Sequence, residues 1–214
     1  MRKGRVIEMS ITIEKDKKEK LLSLMDDKEK EISTGIDKYL KVIMPANPED
    51  PEFQKNYADF YRLSRRKQAW KDNYFKLLCE QKTIPKTLSA ILSELFKDNH
   101  FVEISFASKM LATFNPNMPI IDKWVLINLD LNATWSATKR NWYKTNVSEE
   151  KRIEDAVDLY NSLDIWYKDY IKSSDGEELI SRFNQKFSKS FEESDFKKIS
   201  NTKKIDFLLW QYRK

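Results

Sequence analysis

Apolar residues along this chain recur at three- and four-residue spacing between charged ones, the signature of helices that bury one face. Residues 15–30 set Leu21, Leu22, Leu24 and Met25 among Lys, Glu and Asp, which predicts an exposed amphipathic helix. A second helix is expected from Ser33 or Thr34 through Ile36, Tyr39, Leu40 and Ile43. Pro45, Pro48 and Pro51 then interrupt the pattern, because proline lacks an amide donor and disfavours helix in the residue before it. Asp50 is placed to cap the next helix, with Pro51 at its first position and an aromatic face of Phe53, Tyr57, Phe60 and Tyr61. Further helices are predicted over about residues 65–81 (Trp70, Tyr74, Leu77, Leu78) and from Leu88 to the Lys97-Asp98-Asn99-His100 end. Ahead of all of these, residues 5–13 are β-branched and read as a short strand or an extended arm.

The stretch 104–129 organises the chain. Ala107, Met110, Leu111 and Phe114 form one apolar helical face, and Asn115-Pro116-Asn117 stops it. Pro119 suits the first turn of a new helix, and Asp122 lies at or near that start among Ile120, Ile121, Val125 and Leu126. Such a carboxylate is either a helix cap or a partly desolvated catalytic anion. Beyond it, residues 134–142 read as a loop or short helix, Ser148-Glu149-Glu150-Lys151 as a capped start, and Ser174-Asp175-Gly176 as a helix end or a new cap. Ile153, Val157, Tyr160, Leu163, Ile165, Trp166 and Ile171 are expected on inner faces, and residues 203–210 as a terminal helix docking by one apolar side. The fold class is therefore all-α: a compact domain of about nine to eleven helices over residues 1–214, either in one body or in two lobes around a cleft near Asp122, with 1–45 the candidate N-terminal lobe.

Composition narrows the chemistry. With 3 glycines in 214 residues, Gly-rich phosphate loops and all-β folds are disfavoured. The formal charge of +5 permits a polyanionic partner without requiring one. Cys79 and His100 stand alone in their types, which argues against a disulfide or a Cys/His metal centre; no metal and no cofactor is expected. No apolar run approaches the roughly 20 residues of a membrane span, and the basic start lacks a signal-peptide core, so a cytoplasmic setting is expected.

Residues roughly 100–131 resemble the helix–hairpin–helix (HhH-GPD) DNA glycosylase superfamily. The likeness rests on Ala107 and Leu111, on the Pro-Ile-Ile-Asp-Lys-Trp-Val run at 119–125, and on Asn128-Leu129-Asp130-Leu131 where the family has R-L-G-L. It implies that Asp122 is the essential carboxylate and that the partner is DNA. The family hairpin, L-P-G-V-G, is replaced by His100-Phe101-Val102-Glu103-Ile104 without glycine, and the place of the lyase lysine falls at Ile104. The activity implied is thus monofunctional release of a damaged or modified base, the alternative being a non-enzymatic nucleic-acid-binding or protein-interaction module. The chain also resembles a group of bacterial proteins sharing F-A-S-K-L-L…N-P…P-I-x-D and a terminal K-K-I-D-x-x-L-W, a likeness that carries no chemistry of its own.

Cleavage of an N-glycosidic bond builds positive charge on the sugar, and one fixed carboxylate suffices to stabilise it or to activate water. Asp122 is that candidate, with Trp124 close by to hold a base. Lys109 is a second catalytic candidate, against the plainer reading of a snorkelling helix lysine. Arg65, Arg66 and Lys67, beside Arg62, are candidate phosphate contacts or a solvated face. Trp135, Lys139 and Arg140 with Trp142 form an aromatic–basic cluster suited to DNA or to loop packing. Cys79, Trp70, Trp166 and Trp210 read as core, and His100 as a helix-end residue.

Overall fold

The computed structural model describes residues 11, 13–43 and 47–213. The arm expected over residues 5–13 falls almost wholly outside them, as does Pro45. Among the described residues every regular element is helical: α1 (Lys15–Asp27), α2 (Glu29–Leu40), α3 (Pro51–Phe60), α4 (Gln68–Thr83), α5 (Leu88–Asn99), α6 (Ile104–Phe114), α7 (Lys123–Asn128), α8 (Asn132–Lys144), α9 (Glu149–Tyr170), α10 (Ser174–Phe187), α11 (Glu193–Phe196) and α12 (Asn201–Gln211). Two single 3₁₀ turns join them, at Leu63–Arg65 and Ser188–Ser190. No described helix is long and apolar enough to cross a membrane.

Side chains that satisfy the first free amides set six of the twelve described α-helix starts. Asp50 accepts from the Glu52 amide, Thr87 from Ala90, Asp122 from Trp124, Ser148 from Lys151 and Ser200 from Lys203. Several boundaries depart from the sequence reading. The second helix begins at Glu29, not at Ser33 or Thr34; Thr34 lies inside it and turns its hydroxyl back to the Lys30 carbonyl. Residues 134–142 belong to a full helix, α8, because Trp135 and Trp142 are buried by packing against α7 and α9, which overrides weak local propensity. Ser173, not Ser174 or Asp175, caps α10. Gly176 sits in the first turn of that helix, since a Cβ there would lie 1.9 Å from the Tyr170 carbonyl oxygen. Ile165 is exposed rather than inward, and Cys79 is only partly buried.

The largest departure is α12. It does not dock by one side. Residues 202–209 are all buried, and the helix is packed by α1, α2, α7 and α10. A helix covered all round is normally apolar all round, yet α12 carries Lys203, Lys204 and Asp206 inward. One continuous core runs from Ile13 to Leu209, so α1 and α2 share it with the rest of the chain.

Candidate functional site

The α6–α7 connection is tied down at several points, and these ties place Asp122. The buried Ser108 hydroxyl accepts from the Ile121 amide at 3.0 Å, fixing the residue before Asp122 against α6. The Ser200 hydroxyl donates to the Pro116 carbonyl, pinning the same connection to the start of α12. At the other end of α7, the Asn128 amide donates to the carbonyls of Leu209 (2.6 Å) and Tyr212 (2.7 Å), which binds α7 to the last turn of α12. Beneath, the Tyr57 and Tyr74 hydroxyls meet at 2.9 Å and Tyr74 donates to the Phe106 carbonyl, locking α3 and α4 onto α6.

Asp122 is half-buried. Its Oδ1 accepts from the Trp124 amide at 2.8 Å, the helix cap that its position suggested; among the described residues Oδ2 accepts no hydrogen bond. Lys109 lies inside α6, 8% exposed, with Nζ 3.1 Å from Ser105 Oγ and 4.8 Å from the centre of the Phe106 ring. Burial pulls its ammonium down from 10.5 to about 8. The charges that act on it are, in order of strength, Asp122, Lys203, Asp206 and Arg62. Lys109, far from being an ordinary surface lysine, belongs to a buried charge cluster with Asp122.

The other half of that cluster comes from α12. Lys203 and Asp206, 7% and 5% exposed, pair at 2.5 Å across one helical turn. The Lys203 ammonium is caged by the rings of Phe207, Tyr39 and Phe60 at 4.8, 5.0 and 5.8 Å. Burial pushes the Asp206 carboxyl above its ordinary range, against the pull of Lys203. Asp206 Oδ1 and the nearby Tyr61 hydroxyl have no hydrogen-bond partner among the described residues. Three separate sequence runs, Phe106-Ala107-Ser108-Lys109, Pro119-Ile120-Ile121-Asp122 and Lys203-Lys204-Ile205-Asp206, therefore converge. Ser108, Lys203 and Asp206 were not named as site residues from the sequence, although the F-A-S-K and K-K-I-D patterns contain them; an i, i+3 Lys/Asp pair reads there as an ordinary surface pair.

Arg62 links this cluster to a ladder of cations and rings. Trp124 on α7 and Trp210 on α12 are both half-exposed, so Trp210 is not the core residue its spacing suggested. The Arg213 guanidinium lies 4.5 Å from the Trp210 ring centre and 5.4 Å from that of Trp124, and Arg62 lies 5.6 Å from Trp210. Arg62 holds a left-handed backbone (φ 60°), an uncommon state for a residue with a Cβ.

The remaining sequence candidates lie elsewhere. Arg66 is bound inward, 2.8 Å from Glu103 and 4.8 Å from the Phe106 ring centre, while Arg65 and Lys67 are exposed on the neighbouring turn. Trp135 and Trp142 are buried edge to face at 5.2 Å, and Trp142 Nε1 donates to Asp155. Lys139 lies 5.5 Å from the Trp135 ring centre and Arg140 is exposed. In the hairpin's place, His100 takes the left-handed conformation (φ 58°) that glycine favours, but the Phe101 amide is already bonded to Asn99 Oδ1 at 2.9 Å. Two surface concavities, of about 550 and 680 Å³, lie between α1 and α10 and beside α10–α12, and neither is lined by Asp122 or Lys109. Among the described residues no group of three or more His, Cys, Asp or Glu side chains could hold a metal ion. Compared with protein-family models, with curated proteins and with solved structures, the chain gives no match.

Proposed function

We propose that this chain is a DNA glycosylase-like N-glycosyl hydrolase that releases a damaged or modified base, with Asp122 as its charge-stabilising or water-activating carboxylate. The observation that carries the reading is that Asp122, at a helix start, has one oxygen that accepts no hydrogen bond among the described residues, while its charge acts on the buried Lys109 ammonium. The cap bond fixes the carboxylate's orientation. A fixed anion of this kind stabilises the oxocarbenium-like sugar without having to reorganise during the reaction. Lys109 acts as a positioning residue through Asp122. Its buried amine, bonded to Ser105, is not assigned an attack on the sugar, in keeping with a monofunctional reaction.

Two backbone features support the glycosylase-like fold. His100, in the hairpin's place, and Asp130, where R-L-G-L has glycine, both adopt left-handed φ of 58°. The chain makes turns at those points that glycine makes more cheaply.

A second reading has its own observation. Asp122 Oδ1 already serves as the cap of α7, which is sufficient reason for an aspartate there in a non-enzymatic nucleic-acid-binding module. The two separate on a panel of oligonucleotides carrying deaminated, oxidised or alkylated bases, assayed for abasic sites. The hydrolase reading expects abasic sites in at least one of them and none with Asp122→Asn. Silence across the panel, or equal release by the variant, rejects it.

A further inference from the structure

The cation–aromatic ladder differs from the protein's other tryptophan contacts in how its rings are exposed. Among the described residues Arg62, Lys123 and Arg213 form no ion pair, as is true of most of the described lysines and arginines, so their charge is open to a ligand. The ladder's rings are half-exposed, in a protein that buries Trp70, Trp135, Trp142 and Trp166. The Arg213 guanidinium over both indoles marks a place where a flat group rests on ring faces, and Lys123 Nζ lies 5.7 Å from the Trp124 ring centre.

We propose that Trp124, Trp210, Arg213 and Arg62 form a binding surface for single-stranded nucleic acid, the indoles stacking on unpaired bases and the guanidiniums meeting the adjacent phosphates. The proposal rests on the hydrolase reading in one respect, that the strand presents its base to Asp122 on the helix that carries Trp124. The chemistry selects an unpaired strand for a geometric reason. An indole face stacks only on a base whose own face is open, and in a duplex both faces of each interior base are covered. Stacking tolerates any base, so the ladder supplies affinity and the carboxylate site supplies choice. Arg213 is exposed and lies beyond the end of α12, so it can give up its seat to a base and turn its charge to a phosphate without disturbing a helix. A carboxylate-rich peptide would also meet the arginines, but it offers nothing flat to the indoles.

The test is fluorescence anisotropy of a labelled oligothymidylate of about 12 nucleotides, within the span that such surfaces cover. A blunt duplex of equal length is measured beside it, both over a salt series with the full chain. The single strand is expected to bind at least about tenfold more tightly than the duplex, and Trp210→Ala to weaken it roughly tenfold. Arg213→Ala, at an exposed position outside any helix, keeps the test valid if the tryptophan variant is poorly folded; it is expected to lower the salt slope by about 0.7. Equal affinity for the duplex, unchanged binding by Arg213→Ala, absence of binding, or equal loss on neutralising Lys139 and Arg140 would overturn the proposal. Base release is a separate readout: its absence from a chain that binds single strands through the ladder contradicts the hydrolase reading and leaves the ladder standing.

Discussion

Two places in this molecule bring tryptophans and cations together, and they are built in opposite ways. On α8, Trp135 and Trp142 meet edge to face inside the core, Trp142 is anchored to Asp155, and Lys139 lies along the ring it covers. Between α7 and α12, Trp124 and Trp210 are partly buried with arginines on their faces, one of which, Arg62, also acts on the buried Lys109 ammonium. Residue types are the same in the two places. What differs is how far the rings are buried. Trp135 and Trp142 are 6% and 2% exposed and Trp142 is tied to Asp155, whereas Trp124 and Trp210 are only partly buried; among the described residues Lys139 and Arg140, like Arg62 and Arg213, form no ion pair, and Asp122 Oδ2 accepts no hydrogen bond.

The comparison is broken most easily by stability. Trp142→Ala removes a ring that is 2% exposed and should cost about 3–5 kcal/mol in urea unfolding. Trp210→Ala should cost well under half of that, and equal losses would make the ladder part of the core. A similar loss of about 3–5 kcal/mol is expected for Lys203→Met, which strands Asp206 as a buried charge. Adding Asp206→Leu should restore most of it; a double variant as unstable as the single one would show that the pair is needed for packing and not only for neutrality.

Lys109 gives a smaller, pH-dependent effect. Its ammonium loses a proton near pH 8 when folded and near 10.5 when unfolded. Between those values the unfolded chain holds more protons, so stability rises with pH over that window, and below pH 8 the full cost of the buried charge is present. Lys109→Met should therefore stabilise the protein at pH 7 by up to about 3 kcal/mol, with the gain fading as pH approaches 10.5. Paired urea titrations at the two pH values decide it; a variant less stable at pH 7 would mean that Asp122 holds the ammonium strongly enough to offset its burial.

Much of the fold is legible in the sequence because helix starts are local. Asp50, Thr87, Asp122 and Ser200 act through amides two or three residues away, and proline and apolar spacing mark the rest. The centre of the fold is not legible in this way. Lys203 and Asp206 make α12 look amphipathic, and only tertiary packing reveals that they neutralise each other inside a covered helix. The site divides along the same line. Asp122 and Lys109 stand out from local pattern and resemblance, whereas their links to Arg62 and Asp206 span 47 to 97 residues of chain and leave no local trace. The α8 cluster shows the converse, since a basic–aromatic run looks the same in sequence whether it faces solvent or the core.

The most direct measurement compares Asp122→Asn with the unaltered chain for abasic-site formation on a base-modified oligonucleotide that the unaltered chain processes, with thermal unfolding followed in the same samples. Asparagine can still cap α7, so the unfolding temperature should move little while base release falls by about a hundredfold or more. Base release that persists in Asp122→Asn, or a loss that only tracks unfolding, would contradict a chemical role for this carboxylate.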